Sequence, residues 1–395
     1  MRKVNKIAIM ASGDSAWIGG IQYTMNILHA LNMVNTDNAM AVHIFKGNKQ
    51  NLGDLKKFKN LDLKVLLIDE VVPGFTFSNR VFWFIQRKLF GRINPRFENY
   101  LVKNKYDYVY PAVLSDCHGS LNVGSWIADF QYHNYPDGHS KETTVAAEKQ
   151  ISFIAIKMKK IVFSSVNAEC ESYQLFPETV GKSHVMPFAV YINEDDVVKK
   201  DLNNVCRKYG IEGPFLMVSN LFGAIKNHKT LFDALGLLKK QGVKIQLVCT
   251  GNIVNYAKME YANEILQFIT NSGIRTQLFL LGLIPRQDQV SLYRKSFAMV
   301  QPSIHEGWST CVEEAKALGK TLILSDIPLH REQYPDNPWF FNPLNAADLA
   351  KKIHEVYLIQ GQKEFPNILS EQKALSNYKK NVCDFGKKFL DIAKA

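Results

Sequence analysis

The sequence predicts an α/β protein built from two doubly wound domains with parallel sheets. Three observations carry that prediction. Short apolar runs alternate with helix-period segments along most of the chain. The alternation comes as two series, separated by a highly charged stretch at residues 194–200. The length of 395 residues suits two domains at roughly 100–200 residues each.

In the first series residues 6–10, 41–46, 63–68, 106–110 and 125–130 read as strands, and 184–186 as the last one. Residues 20–31 read as a helix. In the second series the strands are 215–219, 243–249, 277–281, 297–301 and 321–324. Helices are expected at 230–240, 286–294 and 311–318. Such strands are apolar almost throughout, as in sheets covered on both faces. The boundary is expected near residues 187–193. That gives a first domain at 1–190, a second at 191–375 and a closing amphipathic helix at 376–395. The halves share an architecture but no visible repeat.

Composition excludes several classes. Hydrophobic residues make up 46% and charged residues 22%, which are globular values. The 23 glycines and 14 prolines are too few for a collagen-like or low-complexity chain. No apolar run reaches the ~18–20 residues of a membrane span. Arg2, Lys3 and Lys6 before an apolar stretch loosely imitate a signal peptide, but Ser12, Gly13 and Asp14 end that stretch at once. A buried first strand and a cytoplasmic location are expected. Cys117, Cys170, Cys206, Cys249, Cys311 and Cys383 are scattered, form no CxxC pair and read as reduced packing residues. The formal charge of +11 points to an anionic partner: nucleic acid, an acidic membrane face or a phosphorylated substrate. A solubilising surface is the plainer reading.

The most informative stretch is QPSIHEGWSTCVEEAKALGKTLILSDIPLHRE, residues 301–332. A strand ends at Gln301, Pro302 stops it and a polar loop follows. Thr310 and Glu313 have the spacing of a capping box, with Thr310 as the N-cap, and Gly319 closes the helix. Ligands of open α/β sheets bind at the carboxyl ends of strands. Gly307, Trp308, Ser309 and Thr310 would bring backbone N–H groups and a helix N-terminus there, a seat for an anion. Glu306 and Glu314 flank that seat, and ionised carboxylates only accept hydrogen bonds. One seat for phosphate and two acceptors for hydroxyls fit a nucleotide sugar. Lys226, in the loop after the second series' first strand, would bring a cation to the same sheet edge. The paired Gly19 and Gly20 at a helix start do not make a GxGxxG fingerprint, yet they permit close backbone approach.

On these residues the chain resembles the retaining glycosyltransferases of the GT-B fold, family 4. Glu306 and Glu314 match the Glu-x7-Glu signature, and EGWSTCVEEAKALGK and SDIPLHRE are similar to the surrounding family pattern. NLFGAIKNH, residues 220–228, resembles the family's strand–loop–helix around a phosphate-binding lysine. The resemblance extends along most of the chain. It implies two Rossmann-like domains facing a cleft, with the donor on the second and the acceptor on the first. It also implies a final helix that packs back on the first domain. Glu306 would bind the transferred sugar, Glu314 the ribose and Lys226 the diphosphate. The Gly19–Gly20 pair would face the diphosphate and the acceptor. The family often has an arginine a few residues before the lysine. Here Asn220 occupies that region, so one positive charge is missing or comes from elsewhere.

WIADFQYHNYP, residues 126–136, is similar to a family stretch whose histidine lies near the transferred sugar. Tyr132 stands at that place and His133 follows it. His133 is carried as the first-domain catalytic residue, with Asp129 and Gln131 as partners and His118 as a lesser candidate. The implied activity is transfer of a hexose from a UDP- or GDP-sugar to the hydroxyl of a glycan or lipid-linked acceptor. Cell-surface polysaccharide or lipopolysaccharide assembly is the implied setting. No Asp-x-Asp motif is suitably placed, so no metal is expected. A non-catalytic subunit, a nucleotide-sugar epimerase or a phosphorylase on the same fold remain rivals.

One segment stands apart. Between Asn79 and Arg96, the cations Arg80, Arg87, Lys88, Arg92 and Arg96 interleave with Phe82, Trp83, Phe84, Leu89 and Phe90. A basic aromatic helix of this kind can lie on an anionic membrane surface. A core helix with a solvated face is the alternative. No nucleic-acid module is recognised, so no nucleic-acid partner is expected.

Overall fold

The computed structural model describes residues 4–14, 18–36, 40–48, 50–72, 94–114, 121–136, 140–192, 197, 201–252, 259–334, 336–337 and 339–395. Most of the basic aromatic segment, and His118, lie outside the described residues. The chain forms two compact units. One comprises Met1–His133, Ser140–Tyr191 and Lys380–Ala395; the other comprises Asn134–His139 and Ile192–Lys379.

In the first unit β1 (Lys6–Met10) lies at the centre of a parallel sheet with β2 (Ala41–Lys46), β3 (Asp62–Leu67) and β4 (Tyr108–Tyr110), in the order β3-β2-β1-β4. Ile7, Ala8 and Ile9 are fully buried, as the apolar run requires, whereas β3 has exposed positions. A parallel bridge from Val109 to Val123 leads toward a second sheet. There β5 (Ser125–Ile127), β6 (Ile161–Phe163) and β7 (Ser183–Val185) run in sequence order. β4 starts two residues later than its apolar run suggested, and β5 ends three residues earlier, where Asp129 starts a turn by accepting from the Gln131 amide at 3.1 Å.

The second unit holds six parallel strands: β8 (Phe215–Ser219), β9 (Gln246–Thr250), β10 (Leu278–Gly282), β11 (Ala298–Gln301), β12 (Leu322–Ser325) and β13 (Phe340–Phe341). Their order is β10-β9-β8-β11-β12-β13. That is the doubly wound order, with its switch point between β8 and β11. The loops after these two strands therefore diverge and leave a crevice at their carboxyl ends. Three helices begin at this edge: His228–Lys240 after β8, Arg286–Lys295 after β10 and Thr310–Ala317 after β11. The core beneath is built from Leu216, Val218, Leu231, Leu235, Leu247 and Val300 among others.

The closing helix runs Ile368–Lys394, starting eight residues earlier than its amphipathic tail suggested. Its start is fixed within the second unit by a fork-to-fork ion pair. Arg294 Nε donates to Glu371 Oε1 at 2.7 Å and Nη2 to Oε2 at 2.9 Å, with both side chains buried. Its final turns belong to the first unit, where Lys160 Nζ donates to the Ile392 carbonyl at 3.1 Å. Among the described residues no helix is long and apolar enough to cross a membrane.

Beside the Arg294–Glu371 pair lies a buried lysine. Lys320 donates to the carbonyls of Arg294 and Ser296 and sits 4.1 Å over the Phe365 ring. Burial pushes its pKa down from 10.5 to about 7, against the pull of Glu371. Between these two values the unfolded chain holds a proton that the folded chain has released, so folded stability rises with pH across that window. Wild type should therefore gain stability relative to Lys320→Met between pH 7 and about 10. Thermal unfolding at three pH values measures this; a constant difference would contradict it.

Candidate active site

The site forms where β8 and β11 end. Asn220 and Gln301 exchange amide hydrogen bonds across the switch point, Asn220 Nδ2 to Gln301 Oε1 at 3.0 Å and Gln301 Nε2 to Asn220 Oδ1 at 3.2 Å. Gln301 Nε2 also donates to Glu306 Oε1 at 2.8 Å, and Ser303 Oγ donates to the same oxygen at 2.6 Å. The third donor on that oxygen is Lys226, whose Nζ lies 2.6 Å away. The Glu306 side chain is 7% exposed and that of Lys226 26%. Burial alone would raise the Glu306 pKa. The Lys226 charge and the hydrogen bonds from Lys226 and Ser303 outweigh it and hold the carboxyl below its usual value.

Local backbone explains how Lys226 gets there. A single 3₁₀ turn, Ala224–Lys226, is followed by Asn227 in the left-handed region at φ 54°, where asparagine is enriched. Asn227 Nδ2 donates to the carbonyls of Pro302 (3.0 Å) and Pro343 (2.7 Å), and the Ile304 amide donates to the Ile225 carbonyl at 2.9 Å. The two loops are thus laced together before any ligand arrives. His228 is fully buried and stacked on Phe222 at 4.0 Å. Burial, with the nearby Lys226 charge, pushes its pKa down to about 3, so it stays neutral.

The second carboxylate, Glu314, pairs with Arg286 Nη2 at 2.7 Å from the helix that follows β10. Between the two acids lies Cys311, whose thiol donates to the Ser219 carbonyl at 2.7 Å. Burial, and then the charges of Glu314 and Glu306, push the thiol up to about 12, so it is no nucleophile at neutral pH. His330 donates from Nδ1 to the Ser325 carbonyl at 2.9 Å, and burial keeps it below its ordinary pKa although Glu306 pulls the other way.

With this geometry in view, comparison with known proteins identifies the unit. Residues 204–380 match the family of glycosyl transferases group 1. The O-antigen chain mannosyltransferase RfbU of Salmonella typhimurium is 23% identical over 238 residues, 58% of this chain and 59% of that protein. The second unit is a group 1 glycosyl transferase domain. A glycosyltransferase from Rickettsia africae superposes with a TM-score of 0.69 at 18% identity, covering 100% of this chain and 98% of that one. Anabaena HepE in complex with UDP and glucose gives 0.65 at 15% identity, covering 98% of each chain. The fold is GT-B, made of two Rossmann-like units.

Within the group 1 domain the fold brings together Asn220, Lys226, Glu306, Gly307, Ser309, Thr310 and Glu314 on one sheet edge, with Trp308 in the same loop. The capping box is corrected. Ser309 is the N-cap, Thr310 opens the helix and no side chain caps it. Glu313 is drawn away instead: its Oε1 accepts from Lys316 and from Gln333 Nε2, each at 2.9 Å, and its Oε2 accepts from the Tyr378 hydroxyl. Gln333 also accepts from the Ser309 amide at 3.3 Å, so that amide already has a partner. Gly319 takes φ 62° just past the helix end, as expected of it.

The first unit's candidates sit differently. Gly20 is buried in the first turn of helix Ile18–Val34, where a Cβ would lie 2.6 Å from the Gly13 nitrogen. Close packing within its own unit accounts for this glycine. Gly19 is exposed. His133 lies exposed on the helical turn Gln131–Asn134, whereas Tyr132 is buried. On a helical turn, neighbouring residues point about 100° apart, so the two cannot exchange roles without rotating the turn.

Reading the sequence missed Arg286, Gln301 and Ser303. The signal for Arg286 was present: in a doubly wound sheet the loop after β10 opens at the same edge as those after β8 and β11. Gly251, at the end of β9, was also passed over. Its φ is 122°, and a Cβ there would meet the Asn220 carbonyl oxygen at 2.1 Å.

Two predictions follow from this packing. Gly251→Ala combines left-handed strain with a backbone clash and should cost about 2–5 kcal/mol, read by denaturant unfolding. Lys226→Met should raise the titration midpoint of the Glu306 carboxyl, because burial would then be opposed mainly by the Ser303 hydrogen bond. Carbon-13 NMR titration of the side chain measures it; an unchanged midpoint would show that Lys226 does not hold the charge.

Proposed function

We propose that this protein is a retaining hexosyltransferase. It would move a sugar from a nucleoside diphosphate sugar, UDP- or GDP-linked, to a hydroxyl of a glycan or lipid-linked acceptor in cell-surface polysaccharide assembly. The observation that carries this reading is the Lys226–Glu306 pair at the switch point, with Glu306 buried and Lys226 partly so, beside the Thr310–Ala317 helix N-terminus. The match to a mannosyltransferase of O-antigen chains favours a mannosyl-type sugar and a glycan acceptor.

The site's chemistry follows from charge. Breaking the bond between sugar and phosphate leaves positive charge on the sugar and negative charge on the diphosphate. Lys226 has a single flexible stem and can turn its ammonium to a phosphate oxygen. The helix dipole and the Thr310 end add a fixed positive field. Glu306 has three donors converging on Oε1, so a sugar hydroxyl would be met by Oε2. Its lowered pKa keeps it ionised and acceptor-only at neutral pH. Glu314 would take the ribose. Lys226 and the helix N-terminus supply the positive charge for the diphosphate, so the proposed transfer proceeds without a metal. Retention is assigned by same-face attack, in which the departing phosphate takes the acceptor's proton. The basic segment that includes Arg80 and Arg87 is proposed to hold the enzyme at an anionic membrane surface.

A second reading has an observation behind it. Asn220 stands in place of an arginine and is spent on Gln301, which would suit a binding subunit that has lost catalysis. Acceptor-dependent release of nucleoside diphosphate separates the two, assayed with a panel of nucleotide sugars and bacterial glycan acceptors in EDTA. The enzyme reading predicts turnover in EDTA. It also predicts losses in kcat/KM of about 10²-fold or more for Lys226→Met and Glu306→Gln. Acceptor-independent conversion of the sugar would indicate an epimerase, and donor binding without any release a non-catalytic subunit.

A further inference from the structure

We propose that Arg286 is a positioning residue. It locks one oxygen of Glu314 so that the other is presented to the ribose, making it a determinant of ribose over deoxyribose recognition. The inference rests on the donor-site reading above and extends it to a residue outside the Glu-x7-Glu and Lys226 motifs.

Geometry separates the two cations of the site. Lys226 ends in a point charge on a flexible stem. Arg286 is held at both ends of its fork: Nη2 donates to Glu314 Oε1 at 2.7 Å and Nη1 to Gln289 Oε1 at 2.8 Å. Gln289 is itself fixed, since its Nε2 donates to Ser219 Oγ at 2.6 Å and to the Tyr293 hydroxyl at 3.3 Å. Ser219 in turn accepts from Thr250 Oγ1 at 2.8 Å. The guanidinium is therefore anchored through Gln289 to the ends of β8 and β9. A planar fork held this way sets direction as well as charge, which an ammonium cannot do.

Glu314 needs such a partner. Its side chain is 5% exposed, and a carboxylate so buried is costly to leave without a matching cation. Arg286 thus answers the charge of Glu314 and sets its direction. An arginine committed to Glu314 and Gln289 is not the phosphate ligand that Asn220 fails to supply.

Calorimetry of UDP and GDP, each against its 2′-deoxy and 3′-deoxy counterpart, tests this on wild type, Arg286→Met, Arg286→Lys and Glu314→Gln. Wild type should favour the ribonucleotide by about 10–100-fold, the worth of hydrogen bonds to a charged acceptor. Arg286→Met should bring that ratio close to one, as Glu314→Gln does, and Arg286→Lys should restore part of it. Thermal unfolding checks that each variant is folded, and Arg286→Lys keeps the test open where Arg286→Met does not fold. A uniform loss of affinity in Arg286→Met with the ratio preserved would overturn the proposal, assigning Arg286 to phosphate or to scaffolding. Wild-type binding with no ribose preference would overturn it as well. Failure of wild type to bind either diphosphate would instead sink the donor-site reading itself.

Discussion

A carboxylate buried at the end of β11 cannot stay charged unless something answers it, and Lys226 answers Glu306. Much of the second unit's sheet edge is arranged around that pair. The loop carrying Lys226 turns through Asn227 in a left-handed conformation and is fastened to Pro302 and Pro343. The loop carrying Glu306 is fastened to the same place through Gln301 and Asn220. Gly251 leaves room for the Asn220 backbone to pass. Each contact is unremarkable by itself, but together they hold opposite charges 2.6 Å apart at the switch point, where doubly wound sheets take their ligands. The neighbouring Arg286–Glu314 pair repeats the arrangement with a stiffer cation.

The same edge shows how charge is kept where it is useful. His228 and His330 are buried close by, and both are kept neutral by desolvation. Cys311 lies between the acids as a thiol. The site's acids and cations come as two pairs, Glu306 with Lys226 and Glu314 with Arg286, an internally balanced set. A diphosphate brings negative charge to such a set, and the mobile member, Lys226, is the group able to follow it.

Much of the fold and part of the site were legible in the sequence. β1, β2, β8 and the helix from Arg286 stood out because buried parallel strands are apolar throughout and their helices keep a 3.6-residue period. Glu306, Glu314 and Lys226 stood out because their order and spacing are local. What was hidden depended on distant partners. Thr310 and Glu313 have a capping-box spacing, but Gln333, Lys316 and Tyr378 compete for Glu313 and win. Gly19 and Gly20 read as a ligand loop, yet Gly20 is explained by Gly13. The closing helix begins at Ile368, where Asn367 accepts from the Ser370 amide, and its first turn is held by Arg294, seventy-seven residues from Glu371. Arg286 carries no motif; only the strand order reveals that it reaches Glu314.

The most direct test of the account is a crystal structure of the protein with a bound nucleotide sugar, grown separately with UDP- and GDP-linked hexoses. The account predicts diphosphate oxygens within hydrogen-bond reach of Lys226 Nζ, the ribose on Glu314 and the hexose against Glu306. Diphosphate bound elsewhere, with the Lys226–Glu306 pair left intact and dry, would contradict it.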